Sequence, residues 1–218
     1  MPIAGELYFM YATMLIAVPT GVKVFNWITT MYRGSLTFET PMLFSIAFVI
    51  LFTFGGFTGM MLSIAAADMQ YHDTYFVVAH FHYVMVAGAV FSGTAAVYYW
   101  LPKWCGKMYN ETMGKVQFWI AFIGFNITFM PQHFLGLAGM PRRYADYGLQ
   151  FADWNMVSSI GAFMYGGAQI LFLFNVVRTI GWGEPTKDPK VWEGAEGLEW
   201  TLPTPAPYHT FAKPPKIK

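Results

Sequence analysis

Two histidines, His80 and His82, stand two residues apart within a charge-free apolar stretch, Thr74–Pro102. Residues two apart on an α-helix are rotated by about 200°, so the imidazoles would point to nearly opposite faces at nearly the same depth. They are poorly placed to bind one metal ion together, because that favours a spacing of four residues. Each can instead ligate its own cofactor, and histidine is a common axial ligand of haem iron. The alternative is two histidines hydrogen-bonded to neighbouring helices.

A pair of arginines, Arg142 and Arg143, lies between two other apolar stretches. A haem carries two propionate carboxylates, and Arg–carboxylate pairs are strong and directional. If two haems stood beside the Thr74–Pro102 helix, their propionates would emerge at the end where this doublet lies. We therefore interpret the doublet as an anion clamp. Taken alone, the residues favour the alternative, which is interfacial arginines that bind lipid phosphate.

His72 and Asp73 come directly before the apolar stretch that holds the two histidines. An imidazole beside a carboxylate can hold Mg²⁺ or Mn²⁺, with water and other oxygen atoms completing the coordination shell. The alternative is a helix N-cap at Asp73 or Thr74, and the residues alone favour the cap.

Lys23 is the only charge deep within an apolar stretch, and Thr20 lies about one turn before it. A lysine inside a membrane must find water or a partner, and such residues often mark a proton or ion route. The two side chains can form part of that route. Snorkelling of Lys23 towards the membrane surface is the equally weighted alternative.

Long apolar stretches must position these residues. The chain of 218 residues is 56% hydrophobic and 11% charged, whereas soluble domains are about one quarter charged. Four stretches without Asp, Glu, Lys or Arg exceed the ~20 residues that cross a bilayer: Thr40–Ala67, Thr74–Pro102, Val116–Pro141 and Trp154–Val177. A fifth, Leu7–Met31, contains only Lys23, and Pro19 and Gly21 are expected to kink it. The pattern predicts an all-α, polytopic membrane bundle of five transmembrane helices.

The charges predict the orientation and exclude some functions. If five helices alternate in direction, most basic residues fall on one face, which is then cytoplasmic or matrix-side: Arg33, Lys103, Lys107, Lys115, Arg178, Lys187 and Lys190. The Arg142–Arg143 doublet is the exception. A net charge of +1 gives no basic patch, so no nucleic-acid partner is expected. The single cysteine, Cys105, excludes an internal disulfide or a thiolate metal cluster made by this chain alone.

Composition divides the chain into a membrane portion, residues 1–182, and a tail, residues 183–218. The tail is rich in Pro, Glu and Lys, so it cannot span a membrane or build a core. We expect it to be extended, on the inside surface or along a partner. No signal peptide is recognisable, and the start is compatible with an internal methionine of a longer chain.

Several motifs resemble those of subunit I of the haem–copper oxidases. The segment His72–Val84, HDTYFVVAHFHYV, resembles the signature of that family. Three further segments resemble it: Val18–Phe25, Phe52–Gly59 and Pro131–Tyr144. The resemblance covers essentially the whole chain, its motifs are highly specific, and the chain is similar to the last five of the family's twelve helices. The tail segment Gly197–Thr210 resembles bacterial members more than mitochondrial ones, which implies the bacterial plasma membrane rather than the mitochondrial inner membrane.

The resemblance implies roles for the histidines. By resemblance, His80 is the proximal ligand of a high-spin haem, which faces the copper ion where oxygen is reduced. His82 is one of two axial ligands of the low-spin haem that supplies electrons. His72 and Asp73 correspond to ligands of a Mg²⁺ ion near the contact with subunit II.

The other candidate residues also gain roles by resemblance. Three correspond to groups of the haem-propionate network: Arg142, Arg143 and Asp68. Two belong to the family's proton route from the inner surface to the oxygen site: Thr20 and Lys23.

The resemblance implies a proton-pumping cytochrome c oxidase that reduces O₂ to water. The His-Asp start of the signature favours this activity over quinol oxidase or nitric oxide reductase. The implied cofactors are two haems, expected to be a-type, with copper and Mg²⁺. The implied partners are subunits II and III, cytochrome c as electron donor, and membrane lipid.

Some of the family's residues are missing from this chain. Copper needs three histidines, one of them cross-linked to a tyrosine, and the low-spin haem needs a second histidine. Outside the signature only His133 and His209 remain, and neither matches these roles. We therefore expect the N-terminal portion of subunit I to be required, either as a separate chain or as part of a longer one. The competing interpretation is a non-catalytic transporter or proton channel that uses Lys23 and the histidines as a relay.

Overall fold

The computed structural model describes residues 2–186, 188, 190–211 and 213–215. Eight α-helices occur among these residues: α1 Ile3–Leu15, α2 Ala17–Met31, α3 Thr40–Ser63, α4 Ala65–Tyr71, α5 Tyr75–Val86, α6 Ser92–Cys105, α7 Glu111–Leu137 and α8 Ala152–Trp182. A π-helical turn, Ala87–Phe91, joins α5 to α6. Two short antiparallel strands, β1 Lys107–Met108 and β2 Glu184–Pro185, pair near the end of α8.

In the described part of the chain, five helical segments are long and apolar enough to cross a membrane. We number them spans 1 to 5: Ile3–Met31, Thr40–Ser63, Tyr75–Cys105, Glu111–Leu137 and Leu149–Trp182. The predicted all-α, five-helix membrane bundle is therefore confirmed.

Span 1 is interrupted where the sequence predicts a kink. Helix α1 ends at Leu15 and α2 begins at Ala17, with Ile16 between them. Pro19 lacks an amide hydrogen, and its ring clashes with the carbonyl four residues earlier, which is that of Leu15. The proline therefore explains the position of the break.

Glycines allow span 4 to pack closely against its neighbours. A Cβ at Gly161 of span 5 would lie 2.5 Å from the Thr128 amide nitrogen, and one at Gly136 would collide with the backbone of Phe76. Small residues let membrane helices approach each other in this way. Span 4 consequently lies between span 5 and the helix that carries His80 and His82.

An aromatic cluster fills the space between spans 2, 3 and 4. It consists mainly of fully buried rings: Phe44, Phe91, Tyr98 and Phe125. Span 1 differs, because none of its residues is buried. Its apolar side chains are thus available to lipid or to other helices.

The tail begins by packing against the end of span 3. The Trp192 indole donates to the Tyr99 carbonyl at 2.8 Å and stacks on the Tyr99 ring. The Lys103 ammonium donates to the carbonyl of Leu202 at 2.7 Å and to the hydroxyl of Thr204 at 3.0 Å. The tail therefore lies at the end of the bundle where most basic residues cluster. Lys187, one of the residues used to predict orientation, lies outside the described residues.

Candidate functional site

His80 points from span 3 towards span 2. Its Nδ1 lies 2.9 Å from the carbonyl oxygen of Gly55 and 3.2 Å from the hydroxyl of Thr58. A carbonyl only accepts hydrogen bonds, so Nδ1 carries the proton and donates. The ring also lies directly over Gly59, where a Cβ would come within 2.7 Å of the His80 Cε1. This arrangement leaves Nε2 with a free lone pair, which is the form that binds a metal.

His82 points from the same helix towards span 4. Its Nδ1 lies 2.7 Å from the carbonyl of Val78, so this nitrogen also donates. The imidazole stacks on Phe129 with ring centroids 4.1 Å apart and on Phe81 at 4.5 Å. Its Nε2 is likewise left as the unprotonated nitrogen.

The two imidazoles therefore share a protonation state and have different neighbours. His80 contacts span 2 and His82 contacts span 4, as expected for residues about 200° apart on one helix. Metal-binding histidines almost always donate their second ring nitrogen to a carbonyl, carboxylate or water. Both side chains thus fit the axial ligand of a haem iron.

Asp73 and Arg142 form an ion pair that joins the loop before span 3 to the loop after span 4. Arg142 donates through Nε and Nη2 to the same carboxylate oxygen, each at 2.7 Å. Its amide also donates to the Asp73 carbonyl, and Thr74 bridges to Pro141. The hydrogen bond from Arg142 holds the pKa of the Asp73 carboxyl below its ordinary value. The two loops therefore form one connected surface.

His72 lies between two carboxylates. Its Nε2 is 3.5 Å from Asp73 and its Nδ1 is 3.7 Å from Asp68. Two ligands of an octahedral Mg²⁺ ion, each about 2.1 Å from it, lie about 3 Å apart when adjacent, so His72 and the free oxygen of Asp73 can reach one ion. No group of three or more His, Cys, Asp or Glu side chains suited to a metal occurs in the described residues. A complete coordination shell would therefore need ligands from elsewhere.

Thr74 is the helix cap of span 3. Its hydroxyl accepts a hydrogen bond from the Phe76 amide at 3.3 Å. The sequence left the cap open between Asp73 and Thr74, and the structure assigns it to Thr74. Asp73, whose φ is +54°, is turned towards Arg142 instead.

Arg143 has no carboxylate partner among the ion pairs of the described residues. Its φ of +58° differs from that of an ordinary helical or extended residue. The doublet is therefore divided: Arg142 is paired with Asp73, whereas Arg143 is free to meet an anion.

Thr20 and Lys23 lie on α2 in span 1. The Thr20 hydroxyl donates to the carbonyl of Ile16 at 2.8 Å, in the break between α1 and α2. The Lys23 ammonium lies 5.6 Å from the centre of the Trp27 ring. Neither side chain contacts the histidines, so the structure does not bring these two residues into the site of span 3.

His133 on span 4 is a buried residue that sequence reasoning did not assign. It is only 5% exposed, and its ring lies among Phe54, Phe76 and Tyr83. Neither of its two buried ring nitrogens has a hydrogen-bond partner. Its position inside a charge-free stretch could have marked His133 as a candidate. The aromatic rings that surround it belong to spans 2 and 3, however, and the sequence does not show that they meet.

The fold defines a class of protein: a polytopic helical membrane protein, here with two histidines on opposite faces of one span. The sequence model of the family described as cytochrome c and quinol oxidase polypeptide I matches residues 1–164. The chain belongs to this family.

Curated relatives from bacteria support the membership. The chain is 53% identical over 212 residues to cytochrome c oxidase subunit 1 of Cereibacter sphaeroides, covering 97% of this chain and 38% of the relative. It is 51% identical over 220 residues to the subunit 1 of Bacillus sp. strain PS3, covering 100% of this chain and 35% of the relative. The chain thus spans little more than a third of the length of these relatives.

The fold is also similar to that of a solved structure. A cryo-EM structure of a heme–copper terminal oxidase dimer matches with a TM-score of 0.75. The match covers 84% of this chain and 38% of the other at 15% sequence identity. At that identity the likeness supports the fold alone.

Proposed function

We propose that this chain is the C-terminal membrane portion of the catalytic subunit of a proton-pumping cytochrome c oxidase. One observation carries the proposal: His80 and His82 each donate from Nδ1 to a backbone carbonyl and leave Nε2 free on opposite sides of span 3. Haem and copper would supply the electron transfer and the reduction of O₂ to water when bound.

The histidines of this chain would hold two haems, expected to be a-type. His80 would ligate the high-spin haem iron on the side of span 2, and His82 the low-spin haem iron on the side of span 4. The hydrogen bonds at Nδ1 fix each ring and increase the basicity of Nε2. The copper ligands and the second ligand of the low-spin haem would come from the N-terminal portion of subunit I.

Optical spectroscopy tests this proposal. We expect His82→Leu and His80→Leu each to remove part of the haem bands from the reduced-minus-oxidised spectrum of the assembled complex. His209→Gln, in the tail, is the matched control and should leave the spectrum unchanged. A wild-type complex without haem bands would reject the proposal and favour the transporter interpretation.

The loops at the outer end would bind the haem propionates and a metal ion. Arg143 offers a free guanidinium for a propionate, and Arg142 would act through its pair with Asp73. Asp68 would join this network through His72. His72 and Asp73 would hold Mg²⁺, with remaining ligands from outside this chain.

Lys23 and Thr20 would belong to a proton route from the inner surface. The support is the position of Lys23 inside span 1, where a charge needs water or a partner. We expect Lys23→Met to reduce steady-state oxygen consumption by tenfold or more. Proton transfer by a positioned side chain typically accelerates a reaction by about 10²–10⁴-fold, and methionine cannot transfer a proton. Haem content should be unchanged. Normal consumption would remove Lys23 from the route.

The remaining assignments concern the whole complex. Residues 1–182 would form the membrane portion and residues 183–218 an inner-side tail. The partners would be the N-terminal portion of subunit I, subunits II and III and cytochrome c, in a bacterial plasma membrane. The exposed apolar surface of span 1 supports a contact with other helices.

A further inference from the structure

A cavity of about 380 Å³ lies at the inner end of span 5, away from the histidines. Its wall combines the last turn of α8 with β2 and the start of α7. Arg178, Trp182 and Glu184 line it together with polar groups of α7. The cavity is therefore bounded by residues of both charge signs.

The two exposed charges of this cavity lack partners of their own. Neither Arg178 nor Glu184 occurs in an ion pair among the described residues, although both line one cavity. The third charged residue of the wall, Glu111, is only partly satisfied: its Oε1 lies 3.6 Å from Lys115 and accepts from the Thr40 amide, whereas its Oε2 is buried without a hydrogen-bond partner. One exposed positive group and one exposed negative group thus face the same space.

One neighbouring cation, Lys107, is bound to the end of α8. The Lys107 ammonium, on β1, donates to the carbonyls of Ile180 at 2.8 Å and Gly181 at 3.1 Å. It therefore caps the end of α8 and can add to the positive potential beside Arg178.

The cavity lies at the level of the lipid headgroups. Span 5 ends at Trp182, whose side chain is 81% exposed, and tryptophan is enriched at membrane interfaces. Ile170, Phe174, Arg178 and Trp182 follow each other at intervals of four residues, so they form one ridge of the helix. Ile170 and Phe174 are also exposed. The ridge is apolar in the bilayer core and charged at its inner end.

We infer that this cavity binds a zwitterionic phospholipid headgroup, with the phosphate at Arg178 and the ammonium at Glu184. Arginine binds phosphate through charge-assisted hydrogen bonds, and the carboxylate of Glu184 complements a primary ammonium. The indole of Trp182 would lie beside the glycerol region, and the acyl chains would follow Phe174 and Ile170. Phosphatidylglycerol and free phosphate carry no cationic group, so neither can use Glu184.

Native mass spectrometry of the assembled, delipidated oxidase complex tests the inference. We expect phosphatidylethanolamine to bind, and Arg178→Gln and Glu184→Gln each to weaken one binding event about tenfold, as for the loss of one charged hydrogen bond. Phosphatidylglycerol should bind more weakly and should not respond to Glu184→Gln. Arg33→Gln, an exposed arginine at the end of span 1, is the matched control and should have no effect.

Two further measurements keep the inference falsifiable. The double variant Arg178→Glu/Glu184→Arg retains both charges and should recover part of the binding, which a folding defect would not allow. Soluble glycerophosphoethanolamine should bind far more weakly than the lipid. Unchanged lipid binding in Arg178→Gln, equal binding of phosphatidylglycerol, or equal binding of the soluble headgroup would each overturn the inference.

Discussion

At the residue scale, hydrogen bonds decide what each candidate side chain can do. His80 and His82 lie in the same helix, yet each uses Nδ1 to reach a carbonyl and so leaves Nε2 available. Helix geometry alone predicted the opposite orientations. The carbonyl of Gly55, however, belongs to another span, and no local sequence pattern could have predicted that it fixes His80.

Asp73 gives a prediction about pH at this scale. Its hydrogen bond with Arg142 lowers the pKa of the carboxyl, so the ion pair stabilises the native loops above the ordinary Asp pKa of about 3.9. That stabilisation is lost only as the pH falls through the lower, native pKa. We expect the Arg142 amide, which donates to the Asp73 carbonyl, to stay protected from hydrogen exchange down to about pH 4.

The variant Asp73→Ala tests whether the ion pair with Arg142, rather than the backbone contacts of the loop, protects the Arg142 amide from exchange. It should expose the Arg142 amide at every pH and, if the proposed metal role is right, remove Mg²⁺ from the purified complex. Glu196→Ala in the tail is the control. Protection that persists in Asp73→Ala would show that the backbone contacts of the loop suffice without the ion pair, and retained Mg²⁺ would remove Asp73 from the metal site.

At the element scale, the sequence predicted all five spans because charges are nearly absent from them. The bounds were less accurate. Span 4 begins at Glu111 rather than Val116, because Asn110 caps the helix and Glu111 pairs with Lys115 one turn later. Span 2 ends at Ser63 rather than Ala67, because a bend at Ile64 starts the separate helix α4. Charged first turns and short bends of this kind do not appear in an apolar pattern.

The crossing of spans 2 and 3 gives a prediction at this scale. A Cβ at Gly59 would lie 2.7 Å from the His80 Cε1, so Gly59→Ala must move the ring or separate the helices. Such overpacking typically costs about 1–3 kcal/mol. We expect the variant to lose or alter the high-spin haem signal selectively in the optical spectrum. Gly167→Ala, which meets open space, is the control; equal spectra for both variants would contradict the proposed position of His80.

At the scale of the whole molecule, the tail and the membrane helices form one structure. The tail contacts Tyr99 and Lys103 at the C-terminal end of span 3, the same span whose N-terminal half carries the two histidines. Composition predicted that the tail could not span the membrane. It could not predict these contacts, because Lys103 and Leu202 are separated by 99 residues.

Lys103 is the residue that should decide whether the tail stays attached. Its side chain is 3% exposed, and its ammonium donates to Leu202, Pro203 and Thr204. Lys103→Met keeps much of the side-chain volume but removes the charged donor from the carbonyls of Leu202 and Pro203, and a hydrogen bond from a charged group contributes about 1.5–3 kcal/mol.

We therefore expect Lys103→Met to increase the rate at which proteases cleave the tail by about fivefold or more, because each 1.4 kcal/mol changes an opening equilibrium about tenfold. Lys190→Met, an exposed substitution within the tail, should leave the rate unchanged. The haem bands report on the other end of span 3. If they change together with the cleavage rate, the tail also positions the histidine helix; if the cleavage rate of Lys103→Met equals that of the wild type, the lysine does not hold the tail.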